Sequence, residues 1–238
     1  MTVERIEGRD PGLLIVVDHA SAHVPPDIDL GIDPALLDKH IAIDIGAAPL
    51  ARALADRLGS PALLGGVSRL VIDLHRDPDH PGLIPHASDG HAISSNEVAD
   101  RAHRIARFHT PWHDAIAAHR PELFVAVHSF TPALESGGDP RPWQIGLLYN
   151  QDDRAARLAL DLLGQGGVIA GDNQPYSGRL LNYTMNHHAE GNGIPYLMFE
   201  VRNDLIRDDD GVARWADILA AVVTQVRNRL AQTTPPAT

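Results

Sequence analysis

Four apolar runs in this chain end in residues able to do chemistry. Leu13–Val17 runs into Asp18 and His19, and residues 70–74 run into His75 and Arg76. Residues 123–127 run into His128 and Ser129, and residues 196–199 into Glu200, with Arg202 two positions on. The chain has 14 His and no Cys, so a transition metal has only imidazole and carboxylate to sit on. If the runs are parallel strands, their carboxyl ends share one rim, where open α/β sheets bind ligands. His19 and His128, far apart in sequence, are then candidate ligands of one divalent metal, with zinc the expected ion. Asp44 opens the first long helical pattern and reaches the same rim, because helices start where parallel strands end. Asp18 and His23 compete for the third ligand position. Asp18 is disfavoured because neighbouring strand residues point to opposite faces. His23, four residues after His19, would need a helix that Pro25 and Pro26 oppose. The third ligand stays open among these.

A carboxylate directly after an apolar strand needs a partner or a role. For Glu200 the candidate role is general base on an activated water. Arg76 and Arg202 flank the strand ends and suit a small carboxylate substrate, since a guanidinium grips a carboxylate in bidentate fashion. Arg69 precedes its run and is the weaker of the three. Ser21, Asn203 and Tyr183 are further candidate substrate contacts. One His of the segment holding Tyr183, Thr184, His187 and His188 could stabilise an oxyanion, and His188 is the chosen one. The histidines at 103–119 show no ligand spacing and read as solvated. No phosphate loop, dinucleotide fingerprint or Gly-x-Ser-x-Gly elbow is present.

These residues need a scaffold. The runs at 13–17, 62–64, 70–74, 123–127, 144–148 and 196–199 read as short strands. Helical patterns follow at 44–59, from 97 to about 120 with a kink near Pro111, and at 152–163, 179–190 and 217–230. Residues 77–96 form a long polar loop, of the kind that often covers a site. The last residues are a Pro/Thr-rich tail. The alternation predicts one three-layer α/β domain over residues 1–238, core about 13–230. Its sheet is mostly parallel, with helices on both faces.

The 238 residues carry 20 Lys and Arg against 31 Asp and Glu, a formal charge of −11. Such a chain repels phosphate backbones, so nucleic acid is not an expected partner. Its apolar runs are too short to span a membrane, and the expected compartment is the cytoplasm. Oligomeric state is not legible.

Several segments together resemble the N-formylglutamate amidohydrolase family. They are Val17-Asp18-His19-Ala20-Ser21 with Val24-Pro25, His40-Ile41-Ala42-Ile43-Asp44-Ile45-Gly46-Ala47, and Ser68-Arg69-Leu70-Val71-Ile72-Asp73-Leu74-His75-Arg76. Val127-His128-Ser129-Phe130-Thr131-Pro132 and Phe199-Glu200-Val201-Arg202-Asn203-Asp204-Leu205-Ile206 complete the set. The similarity spans roughly residues 13–206. It implies a phosphorylase/hydrolase-like fold related to zinc carboxypeptidases and zinc-dependent peptidoglycan amidases. By that resemblance His19, Asp44 and His128 hold the metal and Glu200 is the base. Ala22 stands where the carboxypeptidase His-x-x-Glu pair would have its Glu, and His75 stands where many relatives have Asn. The expected reaction is hydrolysis of N-formylglutamate, a small anionic amide, to formate and glutamate. Another N-acyl amino acid or short peptide, or a catalytically silent ligand-binding domain, are the alternatives.

Overall fold

Leu13–Val17 is buried at every position, which suits a strand covered on both faces better than one with a wet side. In the computed structural model, which describes residues 2–233, it lies inside a seven-stranded sheet. In chain order the elements are β1 (Val3–Ile6), β2 (Leu13–Val17), α1 (Ala47–Leu58), β3 (Ala62–Gly65) and the hairpin β4 (Ala87–Ser88) and β5 (His91–Ala92). Then come α2 (Arg101–Arg104), α3 (Thr110–Ala117), β6 (Leu123–Phe130), β7 (Ile145–Leu148) and α4 (Arg154–Gln165). β8 (Ala170–Asp172), α5 (Tyr183–His188), β9 (Tyr196–Arg202) and α6 (Asp209–Thr233) complete the described chain.

The sheet order is β1-β3-β2-β6-β9-β7-β8. Its centre, β3-β2-β6-β9, is parallel. β1 joins antiparallel on one edge, and β7 meets β9 antiparallel with β8 parallel to β7 beyond it. The sheet is thus mixed, but the strands that carry the candidate residues run together. Helices cover both faces in a three-layer arrangement: α6 packs on both α1 and α4, while α3 packs on α5 and against β1 and β3. Two glycines are dictated by close approach. Gly46, at φ 81°, starts α1 where a Cβ would lie 2.3 Å from the Ile206 carbonyl oxygen, and a Cβ on Gly65 would lie 2.4 Å from that of Asp18.

Several expectations change. Asp44 does not open α1 but stands just before it, with Gly46 at the cap. Residues 70–74 are not a strand; they form a buried irregular turn. Its apolar content is real, but side chains replace the sheet ladder. Asn96 Nδ2 donates to the Leu70 carbonyl, Arg104 Nη1 to that of Val71, and His113 Nε2 to that of Leu74. His109 and His113 are therefore buried rather than solvated. Of residues 179–190 only Tyr183–His188 is α-helix, and the terminal helix starts at Asp209 rather than 217. The kink before Pro111 is a π-helical turn, Ile105–His109. Most of the Pro/Thr tail lies outside the described residues.

Candidate active site

β6 and β9 pair in register so that His128 and Glu200 are neighbours, and both leave the sheet on the same face. On the other side of β6, the chain leaves β2 through Asp18 and His19. The His19 carbonyl accepts the Asp44 N–H at 3.1 Å, which fixes the start of the α1 segment against the end of β2. Four parts of the sequence are brought together in this way.

The geometry converges on one oxygen. His19 Nδ1 lies 3.3 Å and His128 Nδ1 2.8 Å from Asp44 Oδ2. All three residues are buried. Each imidazole is held from behind by a second carboxylate: His19 Nε2 is 2.7 Å from Asp73 Oδ1, and His128 Nε2 is 3.1 Å from Asp18 Oδ2. A carboxylate behind one ring nitrogen keeps the proton there and turns the other nitrogen's lone pair inward. Two such imidazoles and one buried carboxylate, with ligand atoms within 4.8 Å of one another, are a donor set suited to a divalent cation. The residues present therefore fit the expected metal.

Asp18, the competitor for the third place, is fully used elsewhere. Besides His128 it accepts from Trp112 Nε1 at 2.8 Å and Thr184 Oγ1 at 2.6 Å, and its Oδ2 lies 3.1 Å from His75 Nδ1. His23 is exposed and belongs neither to this group nor to a second group of candidate ligands, Asp18, His75 and His128. Burial opposes charge on both Asp44 and His128. Even so, His19 and His128 hold the Asp44 carboxyl well below the usual range, and Asp18 and Asp44 lift His128 well above its own.

Glu200 is different. Burial, the largest influence, pushes its carboxyl up to about 7, against the pull of His128. Its Oε2 is buried without a hydrogen-bond partner. A carboxyl poised near neutrality can take a proton and return it.

These groups line a cavity of about 340 Å³ together with Arg69, Arg76, His75 and Tyr176. Arg69 is engaged by Asp44 Oδ1 at 3.2 Å and Asp73 Oδ2 at 3.0 Å, so its task is to hold the two acids. Arg76, 3.6 Å from Asp73, is the less committed guanidinium. One wall comes from the β4–β5 hairpin. Asp89, at φ 44°, accepts the backbone N–H groups of Glu135 and Ser136 and ties the loop after β6 to it.

Other expected contacts lie elsewhere. Arg202 is drawn off by Asp204, at 2.8 Å, and by the carbonyls of Arg141, Pro142 and Trp143, so it braces a loop outside the cavity lining. His188 Nε2 is 2.8 Å from His113 Nδ1, in a separate histidine cluster away from the cavity. Ser21 caps the His23 N–H, and Asn203 is buried outside the cavity lining. Tyr183 lines a smaller adjoining pocket with His75 and Arg76. Reading the sequence assigned no role to Asp73 and found no partner for His40. Asp73 lies within a quoted segment, but nothing local says that it faces His19. His40 Nε2 sits 2.9 Å from Asp89 Oδ2, off the hydrogen-bonding direction.

Comparisons with known proteins point the same way. The sequence model described as N-formylglutamate amidohydrolase matches residues 12–207. Among curated protein sequences, none matches. A solved gene product of Agrobacterium tumefaciens is 28% identical with a TM-score of 0.90, covering 97% of this chain and 96% of that one. A protein titled N-formylglutamate amidohydrolase from Ralstonia eutropha JMP134 is 18% identical, TM-score 0.69, covering 98% and 99%. A bacteriophage poly-gamma-glutamate hydrolase is 11% identical, TM-score 0.52, covering 98% and 92%. The last two are likenesses of fold. Among the described residues no helix is long and apolar enough to cross a membrane.

Proposed function

Since the chain belongs to the N-formylglutamate amidohydrolase family, we propose that it is a metal-dependent amidohydrolase that splits a small N-acyl amino acid, with N-formylglutamate as substrate. The observation that carries the reading is the convergence of His19 Nδ1 and His128 Nδ1 on Asp44 Oδ2, in one cavity with the unpartnered Glu200 carboxyl.

His19, Asp44 and His128 would hold the cation. A divalent ion bound there supplies Lewis acidity, which polarises an amide carbonyl and makes a water molecule acidic near neutral pH. The rest falls to the chain. Glu200 accepts a proton from the attacking water as its oxygen bonds to the acyl carbon, and returns a proton to the nitrogen as the C–N bond breaks. The products are formate and the free amino acid. Arg76 binds a substrate carboxylate and places the amide over Glu200. Asp73 and Asp18 keep the two imidazoles in the tautomer that faces inward, and Arg69 offsets the negative charge of Asp44 and Asp73.

The test is formate release from N-formylglutamate by the zinc-loaded protein, compared with N-acetylglutamate and with N-formyl amino acids whose side chains are neutral. N-formylglutamate should give the highest kcat/KM. Preference for a different acyl group or side chain would keep the amidohydrolase and change the substrate. No turnover of any N-acyl amino acid would leave the silent ligand-binding alternative.

A further inference from the structure

His75 lines the cavity, but the steps above make no use of it. It sits on the turn that replaces the expected strand, and the carbonyls on either side of it are pinned. His113 Nε2 donates to the Leu74 carbonyl at 3.0 Å, and His109 Nε2 to the Arg76 carbonyl at 2.9 Å. The imidazole is pinned as well. Its Nδ1 lies 3.1 Å from Asp18 Oδ2 and 3.0 Å from Thr184 Oγ1. The Thr184 hydroxyl spends its own proton on Asp18 Oδ1, at 2.6 Å. Both neighbours of Nδ1 are therefore acceptors, and the proton must be on Nδ1. Nε2 is left with a lone pair. It is buried and has no partner.

A buried acceptor held rigidly calls for a donor, because a buried polar atom without one costs stability. The metal is not the answer. Asp18, His75 and His128 lie close enough to form a second group of candidate ligands, but Asp18 there already has four partners and His75 is not among the His19–Asp44–His128 donors that share the cavity with Glu200. Its ring is 4.8 Å from that of His128 and 6.0 Å from that of His19, centroid to centroid. In a trans amide the N–H points away from the carbonyl oxygen. The partner of that N–H must therefore stand in the same cavity but beside, not within, the group that polarises the carbonyl. His75 meets both conditions.

We propose that His75 Nε2 accepts the N–H of the scissile amide, a contact that selects secondary amides over the corresponding esters. The proposal rests on the amidohydrolase reading above. The hydrogen bond orients the nitrogen so that its lone pair develops toward Glu200 as the carbonyl carbon becomes tetrahedral. A site built around a hydrogen bond discriminates against the analogue that lacks the partner, because the buried group is then left unpaired.

The experiment compares kcat/KM for N-formylglutamate and for its oxygen counterpart, the O-formyl ester of 2-hydroxyglutarate, using zinc-loaded protein. The wild type is measured beside His75→Leu, which removes the acceptor, and His75→Gln, which offers a carbonyl oxygen in its place. The amide-to-ester ratio should fall about 10- to 100-fold in His75→Leu and recover in part in His75→Gln. The ratio is taken within one preparation, so a partly unfolded fraction cancels. His75→Ala, which cannot overfill the site, provides the same readout should the Leu variant misfold. Equal losses on amide and ester would overturn the His75 contact while leaving the hydrolase intact. A wild type that cleaves neither compound nor any other N-acyl amino acid would bring down the hydrolase reading and this proposal together.

Discussion

Asp44 Oδ2 is where two imidazoles meet, and the residues behind those imidazoles decide how they present themselves. Asp73→Asn replaces the carboxylate behind His19 with an amide that no longer fixes the tautomer. It should weaken zinc affinity by about 10- to 100-fold, measured by competition with a chromogenic chelator. Glu200→Gln should behave in the opposite sense, binding zinc normally while kcat drops about 10²- to 10⁴-fold. A Glu200→Gln enzyme with full kcat, or an Asp73→Asn protein with unchanged zinc affinity, would show that these roles are misassigned. The nearness of His19, Asp44, His128 and Glu200, though not their roles, was legible in the sequence, because each lies at or near an element end and strand and helix polarity send those ends to one rim. Asp18 and Asp73 were not legible as supports. Their work is defined by which ring nitrogen they face across the cavity, and no local pattern encodes that. Arg202 and His188 show the same limit from the other side, since nearness to Glu200 in sequence says which element a residue is on and not where its side chain finds partners.

At the scale of elements, the instructive segment is 70–76. Four apolar residues, Leu70, Val71, Ile72 and Leu74, interrupted only by Asp73, satisfy the pattern for a buried strand, yet the chain turns there. Donors on the stretch from Asn96 to His113 supply what a neighbouring strand would have supplied. The long polar stretch at 77–96 was expected to cover a site, and part of it does so through Asp89, which fastens the loop after β6 over the cavity. The histidine bracket has a consequence for stability. Burial, the largest influence on each, holds His113 down to about 3 and His188 to about 4. Both are therefore neutral in the fold, while in the unfolded chain they take up protons below about 6.5. Stability from this pair is present above that pH and is lost as pH falls from about 6.5 toward the folded values. Each group contributes a slope of about 1.4 kcal/mol per pH unit. Urea unfolding of the metal-free protein at pH 7 and pH 5 should show a markedly flatter fall for His113→Gln than for the wild type. Identical slopes would mean that the pair is not buried neutral.

For the whole molecule, the parallel centre of the sheet is what makes a site from distant residues. Three neighbouring strands in the order β2-β6-β9 deliver His19, His128 and Glu200 side by side, and the segment leading into α1 is tied to the end of β2 so that Asp44 joins them. This much follows from alternating apolar runs and helical patterns. The antiparallel edges, β1 on one side and β7–β8 on the other, do not, because short edge strands carry too little pattern to show their direction. The overall charge of −11 also has a meaning at this scale. An anionic substrate must be drawn in by local cations against a repelling field, so loss of Arg76 should cost more at low ionic strength than at high.

The role proposed for His19, Asp44, His128 and Glu200 is a metal-dependent hydrolytic site. Its most direct test is a zinc titration of the chelator-treated protein, with formate release from N-formylglutamate followed at each addition. The rate should be near zero at the start, rise in proportion to added zinc and level off at about one ion per chain. Full activity in the chelated protein, unmoved by zinc, would contradict it.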